Sequence, residues 1–432
     1  PSDKPVPDVN KICQTCAEID SSMPVWDAEN KMCVACANGT YWNGTSCGTL
    51  KEYCTVKMSG YDSANYVVSD DGVITYTGGD MTVASDLDIS NCDLVVSGSL
   101  TLNEGKTVKV KNVTVGTKSG GDYCSNTEGI YININAQLLA TGNVNGCGSN
   151  HGIYNLGKLT GANMEVINGA VNYSGLYNEG EVILSGDITG LGSGYVILNK
   201  NTLTSKNVTA TLRGGASRAI FNSGTMMIEN EIVGETLSTT GGENIGIENT
   251  GIITAQNVMG IGAVVGDSGI SNTGEIIATM VKGEIKSDAI SGPVYNPSVL
   301  TVYGAVHNSG TITADTVIGE NPFESTNSNQ IYVGLYNEAT GKINATAVQY
   351  CPSIVAAGKT TGIMECNCSS TTLCTPQKTV CTDSSNPVLT SGVCVSCQIA
   401  DSTKPYWDSA NSVCVATCPN GFTANPLTNV CM

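Results

Sequence analysis

One phrase returns along the middle of the chain: Gly-Ile/Leu-x-Asn-x-Gly or a near variant. It reads GIYNLG at Gly152 to Gly157, GLYNEG at Gly175 to Gly180, AIFNSG at Ala219 to Gly224 and GIENTG at Gly246 to Gly251. It continues as GISNTG at Gly269 to Gly274 and AVHNSG at Ala305 to Gly310, with weaker copies at Tyr195 to Lys200 and Gly334 to Gly341. The asparagines are Asn155, Asn178, Asn199, Asn222, Asn249, Asn272, Asn308 and Asn337, separated by 23, 21, 23, 27, 23, 36 and 29 residues. A unit near 23 residues cannot bury its apolar face alone. Such units stack and share one continuous core, so the chain must build a solenoid or array.

The residues between the phrases fit short strands. The chain has 50 Gly but only three Phe and three Trp, and it is rich in Val, Ile, Thr and Asn, which favours short strands and tight turns. Asn65 to Thr77 reads as a hairpin about Asp70-Asp71-Gly72, and Asp93 to Val115 alternates apolar and polar residues in short blocks. Nine regular coils begin at Gly129, Gly152, Gly175, Val196, Ala219, Gly246, Gly269, Ala305 and Gly334. Each holds two or three strands with the Asn in a bend. Asparagine suits a bend because it tolerates left-handed backbone, and its amide can bond the equivalent amide in the next coil, as in stacked-strand ladders. Ile153, Leu176, Ile220, Ile247, Ile270 and Leu335 then point inward as an aliphatic column. The expected fold class is all-β: a solenoid over residues 60–350, irregular over 60–128 and regular over 129–350, spanning roughly 40 Å for nine coils. The longer coils take their extra residues just before the phrase, at Gly234 to Asn244, Glu284 to Tyr303 and Gly319 to Val333. Insertions at one repeat position emerge on one face, the candidate interaction surface.

The 19 cysteines crowd towards the two ends. After an extended arm at residues 1–10, residues 11–58 hold Cys13, Cys16, Cys33, Cys36, Cys47 and Cys54, and residues 351–432 hold ten more. The first four fit C-x2-C-x16-C-x2-C, a spacing that serves zinc as well as disulfides. A second copy favours disulfides. Trp26 and Cys33 recur as Trp407 and Cys414, each preceded by C-x2-C (Cys13/Cys16 and Cys394/Cys397). The later copy then closes with C-x3-C at Cys414/Cys418, followed by Cys431, a change that a metal tetrahedron tolerates poorly. Cys124 and Cys147 each lie five residues before a coil's glycine, and equivalent residues of stacked coils are within bonding reach, so a Cys124–Cys147 disulfide is expected. Cys92 is left as a buried free thiol, an intermolecular link or a partner of Cys54.

The repeat resembles the parallel β-helix families: pectate-lyase-like enzymes, phage tailspikes and large surface adhesins. The end modules resemble EGF-like or furin-like cysteine-rich repeats of surface proteins. The first resemblance implies a parallel β-helix with an Asn ladder between small disulfide-rich modules. It does not by itself imply a chemistry.

Composition narrows the function. The formal net charge is −18 with two arginines, Arg213 and Arg218, which is unsuited to nucleic acid or an anionic membrane surface. No window approaches 18 consecutive apolar residues, so no membrane insertion is expected. The chain begins Pro1-Ser2-Asp3-Lys4, with neither an initiator Met nor an apolar signal core, and is expected to be a mature or trimmed form. The cysteines and seven Asn-x-Ser/Thr sequons, at Asn38, Asn43, Asn112, Asn172, Asn207, Asn344 and Asn367, point to an extracellular or cell-surface glycoprotein. For catalysis, Arg213 and Arg218 with Glu179, Glu181 and Asp187 are the candidate groups for a lyase or glycosidase site; His151 and His307 read as coil-corner residues. Trp26, Trp42 and Trp407 sit in the cysteine modules and read as packing residues. The expected function is non-enzymatic, without cofactor or metal: a rigid subunit that joins copies of itself head to tail into a filament. The alternative is an adhesin or a protein that binds or cleaves carbohydrate, with glycans as partners.

Overall fold

A computed structural model describes residues 6–7, 13–19, 23–27, 29–30, 32–43, 45–119, 123–124, 128–170, 172–214, 217–237, 244–264, 266–286, 301–321, 330–351, 353–366, 387–390, 393–409, 413–419, 421–425 and 429–431. The body is a parallel β-helix with three strands per coil, and one coil shows the plan. His151–Asn155 lies in a first sheet, Lys158–Gly161 in a second and Met164–Asn168 in a third. Each strand pairs in parallel with its counterpart one coil on: Ile153 with Leu176, Leu159 with Val182, Met164 with Ile188. The first sheet contains twelve strands, from Met81–Val83 to Ile354–Ala356. At strand spacing its length is roughly 50 Å. The ladders therefore reach further towards the N-terminus than Gly129, into the stretch where short alternating blocks were the only sign.

In several coils a single strand serves two sheets. Thr202–Leu212 pairs with Thr225–Thr236 along both, with a register shift between Ser205 and Asn207 where the chain turns the corner. The inward residues come from simple alternation. Ile130, Ile153, Leu176, Ile197, Ile220, Ile247, Ile270, Val306 and Leu335 form one column at no more than 1 % exposure. Burying each such side chain is worth about 1.5–3 kcal/mol. Stacking is what makes that burial available, since a lone coil would leave both its faces wet.

Beside the aliphatic column runs the Asn ladder. Nδ2 of each asparagine donates to Oδ1 of the next, Asn155 to Asn178 to Asn199 to Asn222 to Asn249 to Asn272 at 2.8 Å per step. It continues to Asn308 at 2.8 Å and Asn337 at 2.7 Å. Asn337 ends the series by donating to Thr360 Oγ1 at 3.0 Å. Below Asn155 the position in register is Ile132, so the polar ladder gives way to aliphatic packing. The left-handed backbone expected for these asparagines is not found. Among the described residues positive φ outside glycine occurs at Asn135 and Asn429. The ladder residues are instead the last residues of extended strands, placed there by hydrogen bonding.

The corner after the ladder explains the phrase's final glycine. A Cβ on Gly274 would come within 2.1 Å of the Gly251 carbonyl oxygen in the coil before it, so side chains are excluded by backbone stacked on backbone.

The N-terminal end of the column is covered by a helix, Leu50–Ser59, which starts on a capping box: Thr49 accepts from the Glu52 N–H and Glu52 accepts from the Thr49 N–H. Its buried Tyr53, Cys54 and Met58 join the solenoid core. Cys54 bonds Cys92 with a Cα separation of 6.0 Å, which resolves the fate of Cys92. The helix thus straddles the boundary drawn at residue 58 and acts as a plug for the exposed strand end.

The two cysteine modules share a frame. Cys16–Cys33 and Cys397–Cys414 both span 17 residues, and Cys36–Cys47 and Cys418–Cys431 follow them. In each module a short helix opens on the first of these cysteines, Cys16–Ile19 and Cys397–Ala400. In each, an antiparallel pair sets tryptophan opposite half-cystine: Trp26 opposite Cys33, Trp407 opposite Cys414. The later module adds a third strand, Val430–Cys431, parallel to Tyr406–Asp408. Val6–Pro7 of the arm pairs antiparallel with Cys13–Gln14 of the first module. Cys368, Cys374, Cys381 and Asn367 lie outside the described residues, as do most residues of the insertion before Tyr303. No helix is long and apolar enough to cross a membrane among the described residues.

Candidate functional site

The outer face of the first sheet carries a cluster of aromatic and ionisable groups. The residue before each ladder position faces outward, and in three successive coils it is Tyr131, Tyr154 and Tyr177, in register with one another. Their rings stack along the helix axis at 5.0 and 4.4 Å between centroids, within 7° of parallel. Lys200, at the next corner, closes one end of the stack with Nζ 4.6 Å from the Tyr177 centroid. The same ammonium donates to Tyr177 Oη at 2.5 Å and Glu179 Oε1 at 3.0 Å, while Tyr177 donates to Glu179. At the other end Tyr131 borders Thr101 rather than another ring.

His151 stands beside the stack. Its ring lies edge-on to Tyr154, Tyr173 and Tyr177, with centroids 5.0, 5.2 and 5.8 Å away. Nδ1 is 3.1 Å from Glu128 Oε2, and Asn150 donates to the other carboxylate oxygen at 3.3 Å. Burial works to raise the Glu128 carboxyl, but the bonds from His151 and Asn150 and the charge of His151 outweigh it and hold the group below the ordinary carboxylate range. Burial, followed by the neighbouring Tyr177, pushes the Tyr154 phenol up to about 12. Tyr177, then Lys200, hold the Glu179 carboxyl low, and Tyr177 and Glu179 raise Lys200 against the effect of its burial. The outcome is a fixed row of phenol hydroxyls flanked by paired carboxylate and ammonium groups. Tyr173, on the loop leading into the next coil, is 39 % exposed and forms the rim.

The cluster runs across the first sheet: Glu128, His151 and Tyr173 lie where the third sheet hands over to the first, the repeat position that the insertions marked, while Glu179 and Lys200 lie at the opposite corner, after the ladder. It was readable in part: Glu128 and His151 are 23 residues apart, and the tyrosines repeat at the same interval. The second histidine follows a related plan, with His307 Nε2 2.6 Å from Glu338 Oε1 and its ring stacked on Tyr336 at 4.9 Å.

The groups weighed for catalysis are dispersed. Arg218 pairs with Glu248 on the next coil. Glu181 pairs with Lys158 at 2.8 Å, Glu179 belongs to the tyrosine cluster, and Asp187 accepts from Asn207 at 2.7 Å. Among the described residues no group of three or more His, Cys, Asp or Glu is placed to hold a metal ion. Trp42, like the other two tryptophans, stands opposite a half-cystine, Cys47.

A second polar ladder, not among the expected features, runs along another corner. At the corner between the second and third sheets, Asn112 donates to Asp93 at 2.8 Å and accepts from the Asn143 N–H. Asn163 donates to Asn143 at 3.0 Å and accepts from the Asp187 N–H, and Asn207 donates to Asp187. Two sequon asparagines, Asn112 and Asn207, have their amide nitrogens committed here. Asn38, Asn172 and Asn344 are exposed, and Asn43 folds its side-chain oxygen onto the Thr45 and Ser46 N–H groups. The Cys124–Cys147 bond joins neighbouring coils at a Cα separation of 5.4 Å. Cys124 sits on a small hairpin, Lys118–Ser119 with Tyr123–Cys124, rather than on a third-sheet strand.

No protein-family model, curated protein or solved structure matches the chain.

Proposed function

We propose that the protein is a rigid extracellular rod, a structural subunit that joins copies of itself end to end through its terminal modules into a surface filament. The observation that carries this reading is a column of twelve first-sheet strands on one core, flanked in the sequence by two modules with the same disulfide frame. A solenoid end is a strand template that invites pairing. Here the helix Leu50–Ser59 covers the N-terminal end, so the reading assigns joining to the modules and not to strand-on-strand growth. Six disulfides among the described residues suit an oxidising compartment, and interior hydrogen bonding through the ladder suits a load-bearing role. Electron microscopy of the purified full chain should show rods joined end to end. Monodisperse single rods over a wide concentration range would count against the reading.

A further inference from the structure

We infer that the tyrosine edge of the first sheet binds an extended, uncharged polysaccharide. The inference is independent of the filament reading: either could fail alone.

Four features support it. First, the phenol oxygens of Tyr131, Tyr154 and Tyr177 form a row whose step is set by the coil spacing, with ring centroids 5.0 and 4.4 Å apart. That step is close to the length of one sugar ring along an extended glycan, so successive residues of a linear polymer could meet successive coils. Second, the row is flanked by groups that recognise hydroxyls in both senses. The carboxylates of Glu128 and Glu179 accept, and the Lys200 ammonium and the Asn150 amide donate. Third, an apolar surface is available beside them. Tyr173 is 39 % exposed at the rim, and the Tyr131 ring at the open end borders Thr101, so C–H faces of a sugar have rings to lie against. Fourth, the site is ordered before binding. Stacking, the Lys200–Tyr177–Glu179 triangle and the His151–Glu128 pair fix side chains that would otherwise lose freedom on contact, which lowers the entropic cost of association.

Charge selects among glycans. Glu128 and Glu179 are already matched by His151 and Lys200 at the site, so no cation is left over for a polyanion, and on a chain of net charge −18 a polyuronate or sulfated polymer is disfavoured. The ionised groups are already paired with one another, so an amino polymer gains little over a neutral one.

Affinity electrophoresis of the full chain tests this in gels containing soluble neutral β-glucans, mannans and xylans, with chitosan and polygalacturonate as charged arms. Retardation by at least one neutral polymer is expected. It should weaken at least about fivefold in Tyr173→Ala, and similarly in Tyr154→Phe, which keeps the stack and removes one hydroxyl. Both variants should unfold at the wild-type temperature. Retardation by none of the neutral polymers would overturn the proposal, as would retention by the charged polymers alone. Undiminished retention in both variants would do the same.

Discussion

Asparagine appears in this chain at a place where its backbone preferences are not used. At Asn249 the side chain accepts from Asn222 and donates to Asn272 and to the Glu275 carbonyl, all from a fully buried position. Isolated, such an amide would be costly to bury; repeated at every coil, it satisfies itself. Substituting Leu at Asn249 should therefore cost about 2–4 kcal/mol, because neighbours on both sides lose partners. The same change at Asn155 should cost less, about 1–2 kcal/mol, since the coil beneath already carries Ile132 and only one amide neighbour is lost. Equilibrium denaturation of both variants checks the order; equal losses would mean that the ladder acts through volume rather than hydrogen bonding. The asparagine repeat was plain in the sequence, but it was expected in a bend; its inward direction follows from its place in an extended strand, two residues after an inward aliphatic residue. The second ladder, Asp93 to Asn207, was hidden because its members mix Asn with Asp and share no surrounding phrase.

Single elements matter most at the ends of the column. The helix Leu50–Ser59 shows no repeat spacing, and its sequence reads as part of the preceding cysteine module. Its role appears only once Tyr53, Cys54 and Met58 are seen in the solenoid core. The Cys54–Cys92 bond closes a 38-residue separation and ties this plug to the first coils. Replacing both cysteines with Ala should cost about 2–4 kcal/mol. Because coils touch only their neighbours, the loss should stay local. Hydrogen exchange should quicken in strands such as Val73–Tyr76 and Leu87–Val96 and remain slow from Ser174 onward. Exchange rising uniformly along the chain would show that the column unfolds as one unit and that the plug is not a local cap.

For the molecule as a whole, near-equivalence of coils makes length adjustable. Residues 246–268 form one coil of the 23-residue repeat, and Ile245 is in register with Ser268. Deleting this segment would bring Asn272 to the place of Asn249 above Asn222, restoring the ladder. The shortened chain should fold, with a β-sheet circular dichroism spectrum and a cooperative but weaker unfolding transition. Loss of cooperative unfolding would mean that coils are not interchangeable and that the inserted loops fix the order of the stack.

Sequence alone determined the solenoid, its coil length, the inward aliphatic column and the Asn ladder, because periodicity is a local property written into every coil. The division of each coil into three sheets, the in-register parallel pairing of the stretch before Gly129, the helical plug and the Cys54–Cys92 bond were decided in three dimensions. So was the gathering of Glu128, His151, the tyrosines and Lys200 on one edge. Those features depend on which residues of different coils meet. The meeting is set by how many residues each corner takes, and a repeat spacing averages over that number.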